Sequence, residues 1–281
     1  MTLPAVLPVV DFSKGRKLAS IPRDFVLPGL PAGKLAVMSA PGGTGKSFLL
    51  LELALAVASG EPVIAGIVPD AAGPTRYISF EEDETDIQNR LVALFQTFSI
   101  SPPVETFFCS ALEGENLPLV QNAEKNEEAV KYLENICEGM RLVILDPLSR
   151  LHSADENSNS EMKKVVQILI SVAKKTRCAI IVAHHTSKSA VLNGQGGLQQ
   201  SARGASCLVD DPRLVCTLSR SQNKKSQYED EENDDQRLVL TWAKMNGCRP
   251  IKPLELVRLE SGVIVAANGA QDLLYSGGMY E

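Results

Sequence analysis

The stretch Ala40-Pro-Gly-Gly-Thr-Gly-Lys-Ser47 decides the fold of this 281-residue chain. It follows an aliphatic segment, Lys34 to Ser39, and precedes a long apolar segment, Lys46 to Gly60. The two segments predict a buried strand and a helix. A glycine-rich loop that joins a strand to a helix and ends in Lys-Ser is typical of a phosphate-binding loop, although Ala40 replaces the usual first glycine. The loop N–H groups and the helix N-terminus would hold the phosphates of a nucleotide.

The residue types of this loop divide the work of binding a nucleotide. Lys46 would hold the β- and γ-phosphates, and the Ser47 hydroxyl would ligate Mg²⁺. The sequence therefore predicts ATP and Mg²⁺ as cofactors. The predicted cofactor-binding residues of this segment are Gly42, Gly43, Thr44, Gly45, Lys46, Ser47 and Phe48.

Two acidic residues follow apolar segments that predict further strands. Asp146 follows Arg141 to Leu145, and Glu81 follows Thr75 to Phe80. Ligands of parallel sheets bind at the carboxyl ends of the strands, so both carboxylates are expected there. Asp146 would hold Mg²⁺ through water, and Glu81 could accept a proton from the attacking water. Glu82 is a rival for the second role.

Another predicted strand, Cys178 to Ala183, ends at a histidine pair, and a long polar loop follows it. Either His184 or His185 could hydrogen-bond the γ-phosphate. The loop from Thr186 to Ser206 is nearly free of large apolar groups, which is typical of a functional or a mobile loop. Its glutamines and basic residues would suit the phosphates of single-stranded DNA. The predicted DNA-binding residues are Lys188, Gln195, Gln199 and Arg203.

Strand and helix patterns alternate along the first 205 residues, which predicts an α/β fold with a mostly parallel, twisted sheet flanked by helices. Helices are expected around Ile87, at Glu124 to Cys137 and at Met162 to Lys175, and a strand at 104–112. Residues 205–281 predict antiparallel strands, at Leu208–Ser219, Arg237–Lys244, Leu254–Glu260 and Gly262–Ala267. The acidic run 228–235 predicts a solvated hairpin tip. Residues 1–33 are expected to be an arm, and residues 34–281 the domain.

Composition excludes several classes of protein. Apolar residues make up 44 %, charged residues 22 %, and the net charge is −6. This is a globular composition, and the charge excludes a uniformly basic nucleic-acid binder but not a local basic channel. The six cysteines form no CxxC pair, which argues against a zinc module. Because neither a signal peptide nor a membrane span is predicted, we expect a cytoplasmic protein without a membrane partner.

Together these motifs resemble the RecA-like ATPases, and most closely the hexameric replicative helicases of the plasmid RepA type. The resemblance extends over about residues 22 to 265. The stretches that carry it are Asp24–Pro28, Ser39–Ser47, Tyr77–Glu82 with Arg90, Leu145–His152, His184–Lys188, and Gln200–Ser206 with Val209–Arg213.

The resemblance implies roles at matching positions. Glu81 would be the catalytic base, Asp146 the magnesium aspartate and His185 the γ-phosphate sensor. Arg213 would be an arginine finger that reaches the nucleotide of a neighbouring subunit, and Arg90 would lie near the adenine. The loops after His152 and His185 would line a central channel for single-stranded DNA.

The sequence departs from this family at a late strand. Many ring helicases have Lys-x-Arg-x-Gly there, whereas this chain has Lys244-Met-Asn-Gly247. Arg213 is therefore the main finger candidate, and Lys244 would be a second phosphate contact.

The leading hypothesis is an ATP-driven homo-hexamer that moves along single-stranded DNA in the replication of a plasmid or another mobile element. A replication initiator or a primase would be a candidate partner. The main alternative is a RecA-fold ATPase that does not unwind DNA, such as a recombination mediator, a DNA-binding regulator or a signalling ATPase. A small-molecule kinase or a GTPase is a weaker alternative, because Asn223–Ser226 lacks the Asp of a guanine-reading Asn-Lys-x-Asp motif.

Overall fold

The computed structural model describes residues 23–64, 67–153, 158–185, 206–221 and 236–267. We number its elements in chain order. The helices are α1 (Lys46–Ser59), α2 (Glu84–Phe98), α3 (Glu127–Cys137), α4 (Asn159–Thr176) and α5 (Cys207–Asp210), and a 3₁₀ turn covers Leu148–Leu151. The strands are β1 (Phe25–Leu27), β2 (Leu30–Pro31), β3 (Leu35–Ala40), β4 (Thr75–Ser79), β5 (Phe107–Ala111), β6 (Val120–Gln121), β7 (Glu124–Lys125), β8 (Leu142–Asp146), β9 (Ala179–His185), β10 (Leu214–Arg220), β11 (Arg237–Met245), β12 (Leu254–Arg258) and β13 (Ile264–Ala266).

One large sheet organises the described residues, with the strand order β13-β12-β11-β10-β3-β9-β8-β4-β5. Strands β10, β3, β9, β8, β4 and β5 are parallel to one another. Strands β10 to β13 are joined in antiparallel pairs. Strand β10 therefore connects the parallel half to an antiparallel extension. The predicted α/β class, with a mostly parallel sheet and C-terminal antiparallel strands, is confirmed.

The parallel strands are covered on both faces. Because successive side chains of a strand point to opposite faces, each strand supplies residues to two cores. Met38 and Ile144 pack with α1 and α2 on one face, while Val37 and Leu145 pack with α3 and α4 on the other. Full burial of each such side chain contributes about 1.5–3 kcal/mol. Strands buried on both faces must be apolar at every position, which is why they appear in the sequence as continuous aliphatic runs.

Three local predictions were wrong at their boundaries. The helix expected from Glu124 begins at Glu127, after the hairpin of β6 and β7, because Asn126 caps it by accepting a hydrogen bond from Ala129 N. The strand expected from Leu208 begins at Leu214, after the short helix α5 and the sequence Asp-Asp-Pro, whose residues disfavour strands. The arm expected up to residue 33 is, from residue 23 on, packed into the domain, with Val26 fully buried.

Among the described helices, none combines the length and the apolar character that a bilayer crossing requires.

Candidate nucleotide site

The glycine-rich loop lies between the end of β3 and the start of α1, as the sequence predicts. Gly43 and Gly45 have φ angles of 75° and 96°, in the left-handed region that glycine adopts without strain. A Cβ added at Gly42 or Gly43 would meet no atom within 4 Å. The loop is therefore an open cradle beside the N-terminus of a long helix, which is the usual setting for a bound phosphate.

Lys46, the first residue of α1, forms a buried ion pair with Asp146, the last residue of β8. The Lys46 Nζ lies 2.5 Å from Asp146 Oδ1, and the two side chains are only 4 % and 3 % exposed. The Tyr77 hydroxyl donates to the other carboxylate oxygen, Oδ2, at 3.0 Å. The structure thus places Lys46 and Asp146, which are 100 residues apart, at the mouth of the loop.

The Asp146 carboxylate is stabilised as an anion. Burial alone would raise the pKa of Asp146, but its interactions with Lys46, Ser47 and Tyr77 outweigh burial and lower the pKa. Burial is also the main reason why the pKa of Tyr77 is raised well above its ordinary value, and the Asp146 charge adds to it. At neutral pH the pair is therefore a carboxylate and a neutral hydroxyl donor.

These residues fit a magnesium–nucleotide complex. Mg²⁺ prefers oxygen ligands and binds through one or two protein groups, substrate phosphates and water. Ser47 and Asp146 offer a hydroxyl and a carboxylate beside the open loop, whereas no group of three or more His, Cys, Asp or Glu in the described residues could hold a metal. A magnesium ion there would neutralise charge on the phosphates.

Glu81 and His185 meet at the same edge of the sheet. Glu81 follows β4 and His185 ends β9, where it pairs in register with Ala40 at the start of the loop. The distance between His185 Nε2 and Glu81 Oε2 is 3.8 Å, and both side chains are nearly half exposed. The neighbouring His184 is buried. Sequence reasoning placed Glu81 and His185 in one site, and the structure brings them together.

Glu82, the rival of Glu81, has a different environment. It is mostly buried and forms an ion pair with Arg90 of α2. Burial raises the pKa of Glu82 more than Arg90 lowers it. The Arg90 guanidinium also lies over the Phe48 ring, 4.9 Å from its centroid. Phe48 and Arg90, both predicted to bind the cofactor, are therefore in contact next to the loop.

The antiparallel extension also reaches the loop, which the sequence did not predict. Arg258 of β12 donates from Nη1 to the Gly43 carbonyl oxygen at 3.2 Å, across 215 residues of sequence. The turn between β12 and β13 packs on Phe48 at Gly262. Neither contact has a sequence signal. For Tyr77 there was one, since a tyrosine in a buried strand needs a hydrogen-bond partner.

Arg213 and Lys244 lie at the opposite edge of the sheet. The Arg213 backbone N–H donates to Leu35, the first residue of β3, whereas the loop follows the last residue of β3. At about 3.3 Å per residue, the length of β3 separates Arg213 from its own loop by roughly 15–20 Å. Lys244 donates to the Val209 carbonyl at 3.0 Å and to the Asp210 carbonyl. The predicted DNA-binding residues Lys188, Gln195, Gln199 and Arg203 lie outside the described residues.

Two comparisons place this site among known proteins. In structure the chain is similar to the solved ATPase domain of a helicase, with a TM-score of 0.58 over 84 % of this chain and 85 % of that one. The sequence identity is 14 %, so the likeness concerns the fold, and it confirms the predicted RecA-like, P-loop ATPase arrangement. A family model described as an AAA domain matches residues 4–191, more than half of the chain. The chain therefore belongs to the AAA_25 family of AAA domains.

Proposed function

We propose that the chain hydrolyses ATP with Mg²⁺ at the glycine-rich loop. The observation that carries the proposal is the buried pair of Lys46 and Asp146 at the mouth of an open phosphate cradle. Lys46 and the loop N–H groups bind the phosphates, while Ser47 and Asp146 hold Mg²⁺.

In the reaction, water attacks the γ-phosphorus, the bond to the β-γ bridging oxygen breaks, and ADP leaves with the electron pair. Glu81 takes the proton of the attacking water. Its half-exposed carboxylate faces His185, which senses the γ-phosphate, whereas the Glu82 carboxylate is engaged by Arg90. This difference favours Glu81 over Glu82 as the base.

We further propose that the active form is a homo-hexameric ring of the plasmid RepA type that moves along single-stranded DNA in the cytoplasm. The exposed Arg213 side chain lies at the edge opposite its own loop, a position from which an arginine can serve only a neighbouring subunit. Lys244 beside it would add a phosphate contact. Lys188, Gln195, Gln199 and Arg203 would bind DNA, and a replication initiator or a primase would load or follow the ring.

The hydrolysis proposal is tested with Lys46→Ala. Loss of the phosphate-binding ammonium should reduce ATP turnover to background, because the charge acts directly on the transferred phosphoryl group. The matched control is Lys131→Ala, which removes an exposed lysine of α3 and should keep the turnover of the unmodified chain. Release of phosphate is measured for all three proteins. Turnover in Lys46→Ala equal to that of the control would refute the proposed site.

The translocase proposal is tested by the ATPase rate with single-stranded and double-stranded DNA, on a sample whose mass is measured by light scattering. A ring-sized particle stimulated by single strands, which then unwinds a fork, would support it. A ring stimulated by DNA without unwinding would favour the alternative, a RecA-fold ATPase that is a recombination mediator or a regulator. A monomer indifferent to DNA would contradict both.

A further inference from the structure

The hydroxyl of Tyr77 occupies one side of the Asp146 carboxylate. Strands β4 and β8 are parallel neighbours, with Ser79 opposite Asp146 and Tyr77 opposite Ile144. Since residues two apart on a strand share a face, the Tyr77 and Asp146 side chains lie on the same face of the sheet. The Tyr77 ring is 1 % exposed, and its hydroxyl donates to Oδ2 of Asp146 at 3.0 Å.

Strand β4 also holds the main chain of Asp146. The Phe80 N–H, directly after β4, donates to the Asp146 carbonyl oxygen at 2.9 Å. The side chain and the backbone of Asp146 are thus both tied to one rigid strand. By contrast, the other carboxylate partner, Lys46, sits at the end of a long flexible side chain and has a second duty at the phosphates in the proposed function.

We propose that Tyr77 is a positioning residue, whose hydroxyl holds the Asp146 carboxylate in the orientation that binds Mg²⁺ when Lys46 turns to a phosphate. The proposal rests on the function proposed above. Partners that orient a metal ligand commonly change metal affinity by about 10–100-fold when they are removed. Tyr77 thus affects the metal through Asp146 and touches neither the nucleotide nor the reacting atoms.

The test is Tyr77→Phe, which keeps the ring and removes only the hydroxyl. Binding of a fluorescent ADP analogue is titrated without Mg²⁺ and at increasing Mg²⁺ concentrations. We expect the Mg²⁺ concentration for half-maximal effect to rise at least about 10-fold, while Mg²⁺-free binding changes less than about 2-fold. The matched control is Tyr132→Phe, which removes the hydroxyl of an exposed tyrosine of α3 and should change neither quantity.

A double-mutant cycle with Asp146→Asn tests whether Tyr77 acts through Asp146. In the Asp146→Asn background, Tyr77→Phe should have no further effect on the Mg²⁺ dependence, because the group that it positions is no longer a carboxylate. An unchanged Mg²⁺ requirement in Tyr77→Phe would overturn the proposal. An equal loss of Mg²⁺-free and Mg²⁺-dependent binding would show a merely structural tyrosine and would overturn it as well. An unmodified chain that binds no nucleotide would instead refute the proposed function, and this inference with it.

Discussion

At the scale of the residue, Glu52 is a carboxyl group buried where a charge is costly. It lies on α1 and is fully buried. Its Oε1 accepts a hydrogen bond from Ile264 N of β13 at 2.8 Å, while Oε2 has no hydrogen-bond partner among the described residues. Burial raises the pKa of Glu52 well above its ordinary value of 4.5, more than the Ile264 N–H lowers it. The folded chain therefore favours the neutral acid.

This environment predicts how stability depends on pH. A group whose pKa is raised by folding stabilises fully below its unfolded pKa, and the contribution is lost as the pH rises toward the folded pKa. The Glu52 contribution to the free energy of unfolding should fall above about pH 4.5, by at most about 1.4 kcal/mol per pH unit. In Glu52→Gln, which cannot ionise, the fall should be smaller.

Urea unfolding of both proteins from pH 5 to pH 8 checks this prediction, with Glu128→Gln on the exposed face of α3 as the control. The stability of Glu52→Gln should increase relative to that of the unmodified chain as the pH rises. Parallel pH curves would mean that Glu52 does not titrate as a buried acid.

At the scale of the element, the turn between β12 and β13 supports the start of α1. Gly262 in this turn has a φ of +88°, and a Cβ added there would lie 2.5 Å from Cε2 of Phe48. Phe48 is held from the other side by the Arg90 guanidinium. The antiparallel extension is thus packed against the residues expected to hold the nucleotide base.

Gly262→Ala should therefore destabilise the chain for two reasons. The left-handed backbone costs about 1–2 kcal/mol for any residue with a Cβ, and the contact with Phe48 adds about 1–3 kcal/mol of overpacking. Gly139→Ala is the matched control, since Gly139 has a φ of +73° with no atom within 4 Å of the added Cβ. The difference between their urea unfolding free energies reports the Phe48 contact alone. Equal losses would show that the turn does not press on Phe48.

At the scale of the whole molecule, the two edges of the parallel sheet carry different groups. The loop, Asp146 and Glu81 follow the carboxyl ends of the strands, while Arg213 and Lys244 lie near the amino end of β3. A closed ring in which the Arg213 edge of one subunit faces the loop edge of the next would use both edges at each interface.

This arrangement predicts complementation between variants. Arg213→Ala should bind nucleotide almost normally but turn it over at least about 10²-fold more slowly, because a finger acts on the transition state. Mixing it with Lys46→Ala should restore part of the turnover, since some interfaces then combine an intact Lys46 with an intact Arg213. Arg249→Ala, at another exposed arginine, should turn over normally. Mixtures no more active than their separate components would contradict action in trans.

Local chemistry made part of the fold and of the candidate site predictable. The continuous aliphatic runs predicted the parallel strands, because strands covered on both faces must be apolar throughout. The glycines before Lys46 and the acidic residues Asp146 and Glu81 at strand ends carry their meaning in their immediate neighbours. The hairpin β6–β7 and the short helix α5 were missed, since a few polar residues decide each of them.

The sequence by itself determined the α/β class, the phosphate loop and the residues that end the strands, because these depend on periodicity and on contacts between near neighbours. Only the tertiary structure decided that Tyr77 holds Asp146, that Arg258 reaches Gly43 and that Arg213 lies away from its own loop. Those contacts join residues that are far apart in the chain, up to 215 positions for Arg258 and Gly43. They follow from the order and register of the strands, which no local pattern specifies.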